Sequence, residues 1–465
     1  MSAKSVKNGH TYVQWMVAIL ANIAVFVYGF ENSWISPMTK ILQSDESPAG
    51  APLSDYAISW IASTMGFAAT FGTSAYAYMA DRFGRKIAVM ALLYPQAISW
   101  ALKLYPTVTT LTLSRIFGGL AAGGIFNVVP MYVKEISQDS IRGTLGSLLI
   151  LSQNLGVLFM FVIGAYFDYY TVQWSIIGIP IVTAILMLKA PEAPAFLVKL
   201  GKMDEAHETV AFLRGLDVDD KRVLEEVDRM KKEEDTFQSL PKVQLKTLFT
   251  DSKWRRSVII FLISSTIHGW SGAYAIMVYA LTLLTYASSD FVISPEVQSF
   301  SFPIVMICAC LLLAVFVERV GRKRLLVAAY AASGISFGVL ATSILARDTG
   351  LVPGWLPLVA MIVNVFAYAG GVSSLTYIIL TEVFNFQVRA KVMGMIVTYI
   401  WFLESIQLLI YAPISKFFGY STLFYLFTII NFIGMIFVLI YVPETKGRSE
   451  EEVQRIIRGD RKDLS

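Results

Sequence analysis

Long apolar runs dominate the pattern of hydrophobic and polar positions along this chain. A run of roughly twenty apolar residues is the length that an α-helix needs to cross a hydrocarbon core of about 30 Å. The pattern predicts twelve such helices, separated by short polar segments that contain Gly and Pro. They begin near Tyr12, Asp55, Ile87, Thr109, Thr144, Val172, Ser257, Val297, Leu325, Trp355, Val392 and Tyr420.

The second half of the chain repeats the polar motifs of the first half, in the same order and at a nearly constant offset. The correspondences are DRFGRK (Asp81–Lys86) with ERVGRK (Glu318–Lys323), Glu135 and Arg142 with Glu382 and Arg389, and Pro191–Glu192 with Pro443–Glu444. Such a repeat predicts an all-α membrane protein built from two six-helix halves, with a solute site between them near the midplane. The predicted domains are 1–189, 190–256, 257–442 and a tail at 443–465.

The segment between the halves has a different character. EAHETVAFLRGL and KRVLEEVDRMKKEED carry charged residues with an apolar residue every three or four positions. This spacing favours short amphipathic helices that lie against the bundle. A solvated linker with some helix is the alternative.

Composition and charge agree with a membrane protein. Of the 465 residues, 55% are hydrophobic and only 15% are charged. All Lys and Arg except Lys40, Lys103, Arg115, Arg347 and Lys416 lie on the side that carries both termini. The positive-inside rule therefore predicts cytoplasmic termini, in a multi-pass protein that we expect in the plasma membrane. The net charge of +4 needs no nucleic acid as partner, because these basic residues face the anionic leaflet.

Several classes of function are not indicated. The only cysteines, Cys308 and Cys310, lie two residues apart in an apolar span, and no metal-ligand set is present, so we expect no cofactor. No nucleophile and base or paired carboxylates converge, which argues against an enzyme. The first apolar run is too long for a cleavable signal peptide.

The motifs resemble those of a known family. DRFGRK, the run R-x3-G-x10-P-x-Y-x2-E-x6-RG (Arg115–Gly143), PEAPAFL, ERVGRK, TEVFNFQVR and PETKG are similar to the sugar porters of the major facilitator superfamily. SWISP (Ser33–Pro37) resembles the insect facilitated trehalose and hexose transporters. The resemblance implies a carrier that moves a sugar of the hexose or trehalose class by alternating access, without coupling to protons. A proton-coupled symporter and a non-transporting sugar sensor are the alternatives.

Charges at the predicted cytoplasmic helix ends are candidates for a gate. They are Asp81, Arg82, Arg85, Glu135, Arg142, Glu318, Arg322, Glu382 and Arg389. The resemblance assigns them to closing the cytoplasmic side in the outward-open state; the alternative is that they only orient the spans. Gly119 and Gly123 form a small-xxx-small face, for which we expect a packing role.

Three polar side chains share one predicted depth. Gln153, His268 and Trp401 follow Arg142, Arg256 and Arg389 by eleven or twelve residues, or about 16 to 18 Å along a helix. An amide, an imidazole and an indole suit the hydroxyls and the apolar ring face of a sugar. Packing without solute contact is the alternative. The complete set of candidate solute-binding residues is Gln153, His268, Ser271, Tyr274, Tyr377 and Trp401.

Two further charges are predicted in the outer third of the membrane. Glu31 precedes Pro37 in the first span, and Arg115 lies at a compatible depth in the fourth. Ionisable residues at such depth are candidates for function. In the proton-coupled sugar porters an acid at the position of Glu31 pairs with an Arg at that of Arg115. The hypothesis is that Glu31 takes up and releases a proton; a static ion pair is the alternative. Glu404 has no partner identifiable from the sequence.

Overall fold

A computed structural model describes residues 9–239, 243–287, 291–347, 350 and 352–458, and every regular element in these residues is a helix. Residues 459–465 of the predicted tail lie outside the described part. The helices of the first half are α1 (Tyr12–Ser33), α2 (Ile35–Leu42), α3 (Asp55–Phe83), α4 (Arg85–Leu102), α5 (Val108–Ile136), α6 (Asp139–Tyr166) and α7 (Tyr169–Met187).

The helices between the halves are α8 (Pro194–Lys199), α9 (Met203–Arg214), α10 (Lys221–Ser239) and α11 (Thr247–Thr250). Those that follow are α12 (Ser252–Gly269), α13 (Ala273–Val278), α14 (Ala280–Ala287), α15 (Pro295–Ser299), α16 (Ser301–Val320), α17 (Arg322–Leu345), α18 (Leu356–Ala367), α19 (Ser374–Val383), α20 (Phe386–Tyr441) and α21 (Glu450–Arg458). A π-helical segment, Tyr368–Ser373, connects α18 to α19.

The helices follow the hydrophobic pattern closely. Each predicted span start lies within a helix or, for Trp355, at an N-cap. Nine segments of the described chain are long and apolar enough to cross a membrane. The last of them contains Gly419 in a non-helical conformation, where two helices join. α3 and α4 are not among the nine, so the count of twelve spans stays a prediction.

The helices α8–α11 define one side of the bundle, which we call the linker side; the opposite side is the far side. Both described ends of the chain lie on the linker side, because the backbone N–H of His10 donates to the Arg214 carbonyl and the Arg256 side chain donates to the Arg458 carbonyl. The two amphipathic helices predicted between the halves are present as α9 and α10. The Arg214 side chain binds Glu226 of α10 at 2.6 Å and the Ile136 carbonyl of α5 at 2.8 Å, which anchors both helices to the first half.

Buried apolar side chains form one shared cluster on the far side and separate clusters on the linker side. The far-side cluster combines residues of both halves, for example Trp34 and Ile58 with Ile276 and Phe424. On the linker side, one cluster belongs to the first half and is joined by Trp401, and another belongs to the second half. The shared apolar cluster therefore lies on the far side, and Trp401 adds a contact between the halves outside that cluster.

Polar contacts between the halves follow the same division. They are Asn32–Tyr274 (3.0 Å), Ser36–Leu281 N (3.0 Å), Ser59–Tyr279 (3.0 Å) and the ion pair Lys40–Glu296 (2.8 Å). The residues in these contacts lie either in the far-side half of a membrane span or in a far-side segment outside the spans. In this conformation, contacts between the two halves close the far side of the bundle.

Candidate functional site

A cluster of buried charges lies where α1, α4 and α5 meet. Glu31 is 1% exposed, Lys103 0% and Arg115 1%. The Lys103 ammonium donates to Glu31 Oε2 at 2.5 Å, and Arg115 Nη1 donates to Glu31 Oε1 at 3.1 Å. Arg115 Nη1 also donates to the Glu31 carbonyl at 2.5 Å, and the Ser99 hydroxyl donates to Oε2 at 3.1 Å. One carboxylate thus binds two cations.

The surroundings of this cluster hold its geometry. The Lys103 ammonium lies 3.7 Å from the ring centroid of Trp100 and 4.9 Å from that of Trp34, distances that favour cation–π attraction. Gly118 leaves room for the acid, because a Cβ there would lie 2.7 Å from Glu31 Oε1. The predicted contact of Glu31 with Arg115 is therefore present. Lys103 was counted from the sequence only among the far-side basic residues.

A second polar cluster lies in the other half, between α12, the π-helical segment, α19 and α20. His268 Nε2 lies 3.4 Å from the Tyr368 hydroxyl, which donates to Glu404 Oε1 at 3.5 Å. The His268 ring lies 5.6 Å from the Tyr368 ring and 6.2 Å from the Tyr377 ring, between centroids. His268 Nδ1 is buried without a hydrogen-bond partner in the described residues. The structure thus brings His268 and Tyr377 together around Glu404.

The other candidate solute-binding residues lie at different places. Tyr274 donates to Asn32 of the first half, and the carbonyl of buried Ser271 accepts from Asn431 at 2.8 Å. Trp401 packs into the first-half cluster, so it spans the boundary between the halves. Gln153 is half-buried on α6 and shares no hydrogen bond with the other candidates in the described part of the chain. The predicted set is therefore brought together only in part.

The candidate gate charges form two equivalent clusters on the linker side, one in each half. In the first, Arg85 Nε binds Glu135 at 3.0 Å, and Glu192 accepts the backbone N–H groups of Arg85 and Lys86 at 2.9 and 3.0 Å. In the second, Arg322 binds Glu382 at 2.9 Å, and Glu444 accepts the backbone N–H groups of Arg322 and Lys323 at 2.9 and 3.2 Å. The motifs that are repeated in the sequence therefore make equivalent contacts in the two halves.

Arg142 and Arg389 also have equivalent positions in the two halves. Glu135 and Arg142 do not pair with each other among the described residues. Arg142 binds the Ser137 carbonyl at 3.1 Å and Asp139 at 2.6 Å, and Arg389 binds the Phe384 carbonyl at 2.9 Å. Each arginine therefore closes the turn that precedes its own helix.

The remaining gate candidates are exposed. Asp81 lies 3.7 Å from Arg85 and 3.4 Å from Lys199, and Glu318 binds Arg322 at 2.5 Å. The Arg82 guanidinium lies 5.9 Å from the Phe83 ring centroid. Within the described residues, all ion pairs of the gate candidates stay inside one half or join it to its own flanking segment.

A comparison with family models decides the classification. The model described as sugar (and other) transporter matches residues 17–457, which is nearly the whole chain. The chain therefore belongs to the sugar transporter family. This is a family of transporters and not of enzymes.

Relatives of this sugar transporter family member include insect proteins. The facilitated trehalose transporter Tret1 of Anopheles gambiae is 27% identical, over 97% of this chain and 56% of that protein. Tret1 of Polypedilum vanderplanki is also 27% identical, over 97% of this chain and 89% of that protein. The chain spans little more than half the length of the mosquito relative.

Solved structures support the same fold. The inward open conformation of the xylose transporter XylE from E. coli aligns with a TM-score of 0.78 at 18% identity, over 95% of this chain and 99% of that chain. The partially occluded inward open conformation aligns with a TM-score of 0.77 at 19% identity, over 94% of this chain and 100% of that chain. The chain therefore has the fold of these xylose transporter structures.

Four residues that contact the predicted site residues were missed by sequence reasoning. They are Asn32, Ser99, Lys103 and Tyr368. A signal existed for Lys103, because a lysine at the end of a span with a tryptophan three residues before it favours a cation–π contact. Tyr368 lies in the π-helical segment, a feature common at functional sites that residue spacing does not reveal.

Proposed function

We propose that the protein is a carrier that moves a sugar of the hexose or trehalose class across the plasma membrane by alternating access, without coupling to protons. The observation that carries the proposal is the division of apolar clusters, shared on the far side and separate on the linker side. Two halves that share their apolar cluster on one side can rock around a central site, so that this side opens while the other side closes. The sugar class is supported by the family and by the names of the trehalose transporters it resembles.

The linker-side charges fit the role of a gate in this cycle. Because Arg85–Glu135 and Arg322–Glu382 are each internal to one half, the halves are free to part on that side. In the opposite state the same helix ends approach one another. Exposed pairs contribute only about 0 to 1 kcal/mol each, but several together bias two states that differ by a few kcal/mol. The orientation, with cytoplasmic termini, rests on the distribution of basic residues.

The buried charge cluster supports transport without proton coupling. Protonating Glu31 would leave Lys103 and Arg115 without a negative partner, and unpaired charges are costly to bury. The candidate that competes is a proton-coupled symporter in which Glu31 exchanges its proton beside Arg115. The buried Glu31–Arg115 pair itself favours that candidate.

Uptake by cells that express the full chain tests the proposal. Radiolabelled trehalose, glucose and a panel of non-sugar solutes would be measured with and without an inward proton gradient. We expect saturable uptake of one of the sugars, at the same rate under both conditions and without accumulation above the external concentration. Accumulation driven by the gradient would establish the symporter instead. Uptake of no solute by a correctly inserted protein would favour a non-transporting sugar sensor.

A further inference from the structure

Polar side chains lie along one face of α20, and two of them have polar atoms without a partner in the described residues. Glu404, Gln407, Tyr411 and Ser415 are spaced by three or four residues, so they fall within an arc of about 80° of the helix. We call this set the α20 polar face. Gln407 is 2% exposed, and neither its amide nitrogen nor its amide oxygen has a hydrogen-bond partner in the described residues. The hydroxyl of Tyr411, 4% exposed, also lacks one.

Such orphaned groups require an explanation. A buried polar atom without a partner costs roughly 1 to 3 kcal/mol, so native proteins contain few of them. Here three such atoms belong to neighbouring turns of one helix. An amide offers both donors and an acceptor, and a phenol offers one of each, which is the chemistry that binds a polyol. A hydroxyl-rich ligand would satisfy all of them at once.

The α20 polar face ends in a cavity at the far side. This cavity, of about 230 Å³, lies between the halves and is lined by Tyr411 and Ser415 together with Asp55 and Ser59 of α3. Tyr411 stacks on Tyr279 with 4.5 Å between ring centroids. The cavity is smaller than the roughly 300 to 1,000 Å³ of sites for drug-sized ligands. It provides open space between the halves beside Tyr411, at the far-side end of the face.

Glu404 is the charged residue of the α20 polar face and lies at the end farther from the cavity. It is 7% exposed, its one hydrogen bond is the long contact with Tyr368, and it forms no ion pair within the described residues. The buried cations Lys103 and Arg115 are already bound to Glu31. Tyr368 contacts the carboxylate through its hydroxyl, and the His268 ring lies 5.6 Å from the Tyr368 ring and 6.2 Å from the Tyr377 ring, between centroids. An acid among aromatic rings is the arrangement that recognises an ammonium group.

We propose that the α20 polar face binds the transported solute, and that Glu404 selects a polyhydroxylated solute carrying a protonated amine, an amino sugar in chemical class. The inference rests on the proposed carrier function and names its substrate class. Gln407 and Tyr411 bind the hydroxyls, while the Glu404 carboxylate pairs with the ammonium. A neutral sugar of the same shape satisfies the first two residues but leaves the charge unpaired.

Ligand-induced thermal stabilisation of the purified full chain in nanodiscs tests this without requiring transport. The probes are glucosamine, glucose and N-acetylglucosamine, the last of which lacks the charged amine. We expect glucosamine to bind tightest. Glu404→Gln should weaken glucosamine binding by about tenfold or more, the effect of losing one buried charged contact, so that glucosamine no longer binds more tightly than glucose. Glu46→Gln, which changes an exposed far-side acid, is the matched control.

A second variant separates solute binding from structure. Gln407→Leu removes an unpartnered amide, so a merely structural role predicts a protein at least as stable with unchanged binding. Our proposal predicts weaker binding of glucosamine and glucose alike. Equal affinity of the wild-type chain for glucosamine and glucose, or equal losses in Glu404→Gln, would overturn the amine selectivity. Glucosamine binding without uptake of any sugar would instead refute the carrier function and leave this site standing.

Discussion

At the scale of single residues, the buried charges are unequal in the two halves. Glu31 binds both Lys103 and Arg115, which leaves one positive charge in excess, whereas Glu404 has no cationic partner among the described residues. The sequence left a static ion pair between Glu31 and Arg115 as the alternative to proton exchange by Glu31. The second cation favours it, because a carboxylate shared by two cations is harder to neutralise than one partner of a simple pair.

Glu31→Gln tests the role of the acid in the folded protein. Removing it leaves Lys103 and Arg115 buried without their negative partner, and breaking a buried pair in this way costs about 3 to 5 kcal/mol. We expect a clear fall in the thermal unfolding temperature of the purified chain. The double variant Glu31→Gln with Lys103→Met should recover part of the loss, since it removes one of the unpaired cations. Equal unfolding temperatures of wild type and Glu31→Gln would contradict a structural role.

At the scale of elements, close helix contacts depend on residues without side chains. α3 and α5 approach so closely that a Cβ at Gly119 would lie 2.1 Å from the Met65 carbonyl, and one at Gly123 would lie 2.2 Å from the Ala69 carbonyl. These contacts agree with the expected packing role. Helix starts are similarly constrained: Gly84 and Gly321 have φ of 108° and 102°, and each lies under the carboxylate that caps the next helix.

Gly119→Ala should disturb the α3–α5 contact. The obstacle is backbone, which yields less easily than a side chain, and overpacking costs about 1 to 3 kcal/mol. We expect a lower unfolding temperature and a lower yield of monodisperse protein. Gly143→Ala is the control, because nothing lies within 4 Å of its new methyl group. If both variants behaved like wild type, the close approach would be absent.

The carboxylates of Glu192 and Glu444, which cap two helix starts, test whether the two halves are structurally equivalent. Glu192→Ala and Glu444→Ala each remove an acceptor from two backbone N–H groups at a helix start, for which caps are worth about 0.5 to 2 kcal/mol. We expect both variants to lower the unfolding temperature by similar amounts. Glu208→Ala, at an exposed position on α9, should have little effect. A loss in only one of the two caps would argue against equivalent halves.

At the scale of the whole molecule, the interface between the halves determines the conformation. The far-side cluster and its hydrogen bonds hold the halves together, and α3 packs directly on α20. Gly66 of α3 allows this approach, because a Cβ there would lie 2.2 Å from Ser405 Oγ and 3.1 Å from the Trp401 carbonyl. Gly66 thus permits one of the close contacts that join the halves.

Gly66→Ala should shift the protein away from far-side closure. The added methyl pushes α3 from α20 without touching the interior of either half, so we expect faster labelling from the far side at a buried interface position. Ala275→Cys provides it, in a chain with Cys308 and Cys310 replaced by serine, labelled with a membrane-impermeant maleimide. Gly178→Ala, with open space around it, should leave the rate unchanged. No acceleration in Gly66→Ala would count against the proposed movement.

The sequence by itself determined the helices, their approximate bounds and the repeat. These features are local, since apolar run length and cap residues act within a few turns, and the order of motifs is visible without knowing where they meet. The sequence also placed Glu31 and Arg115 at one depth, because rise along a helix converts residue number into distance.

Only the tertiary structure decided which side chains meet. Rotation and tilt of each helix are set by packing against its neighbours, so spacing could not reveal that Lys103 turns inward or that Arg85, rather than Arg142, binds Glu135. Nor could it find Tyr368 beside Glu404, where a π-helical segment alters the helical register. Contacts between the halves likewise depend on the conformation that the folded chain adopts, which residue spacing alone does not specify.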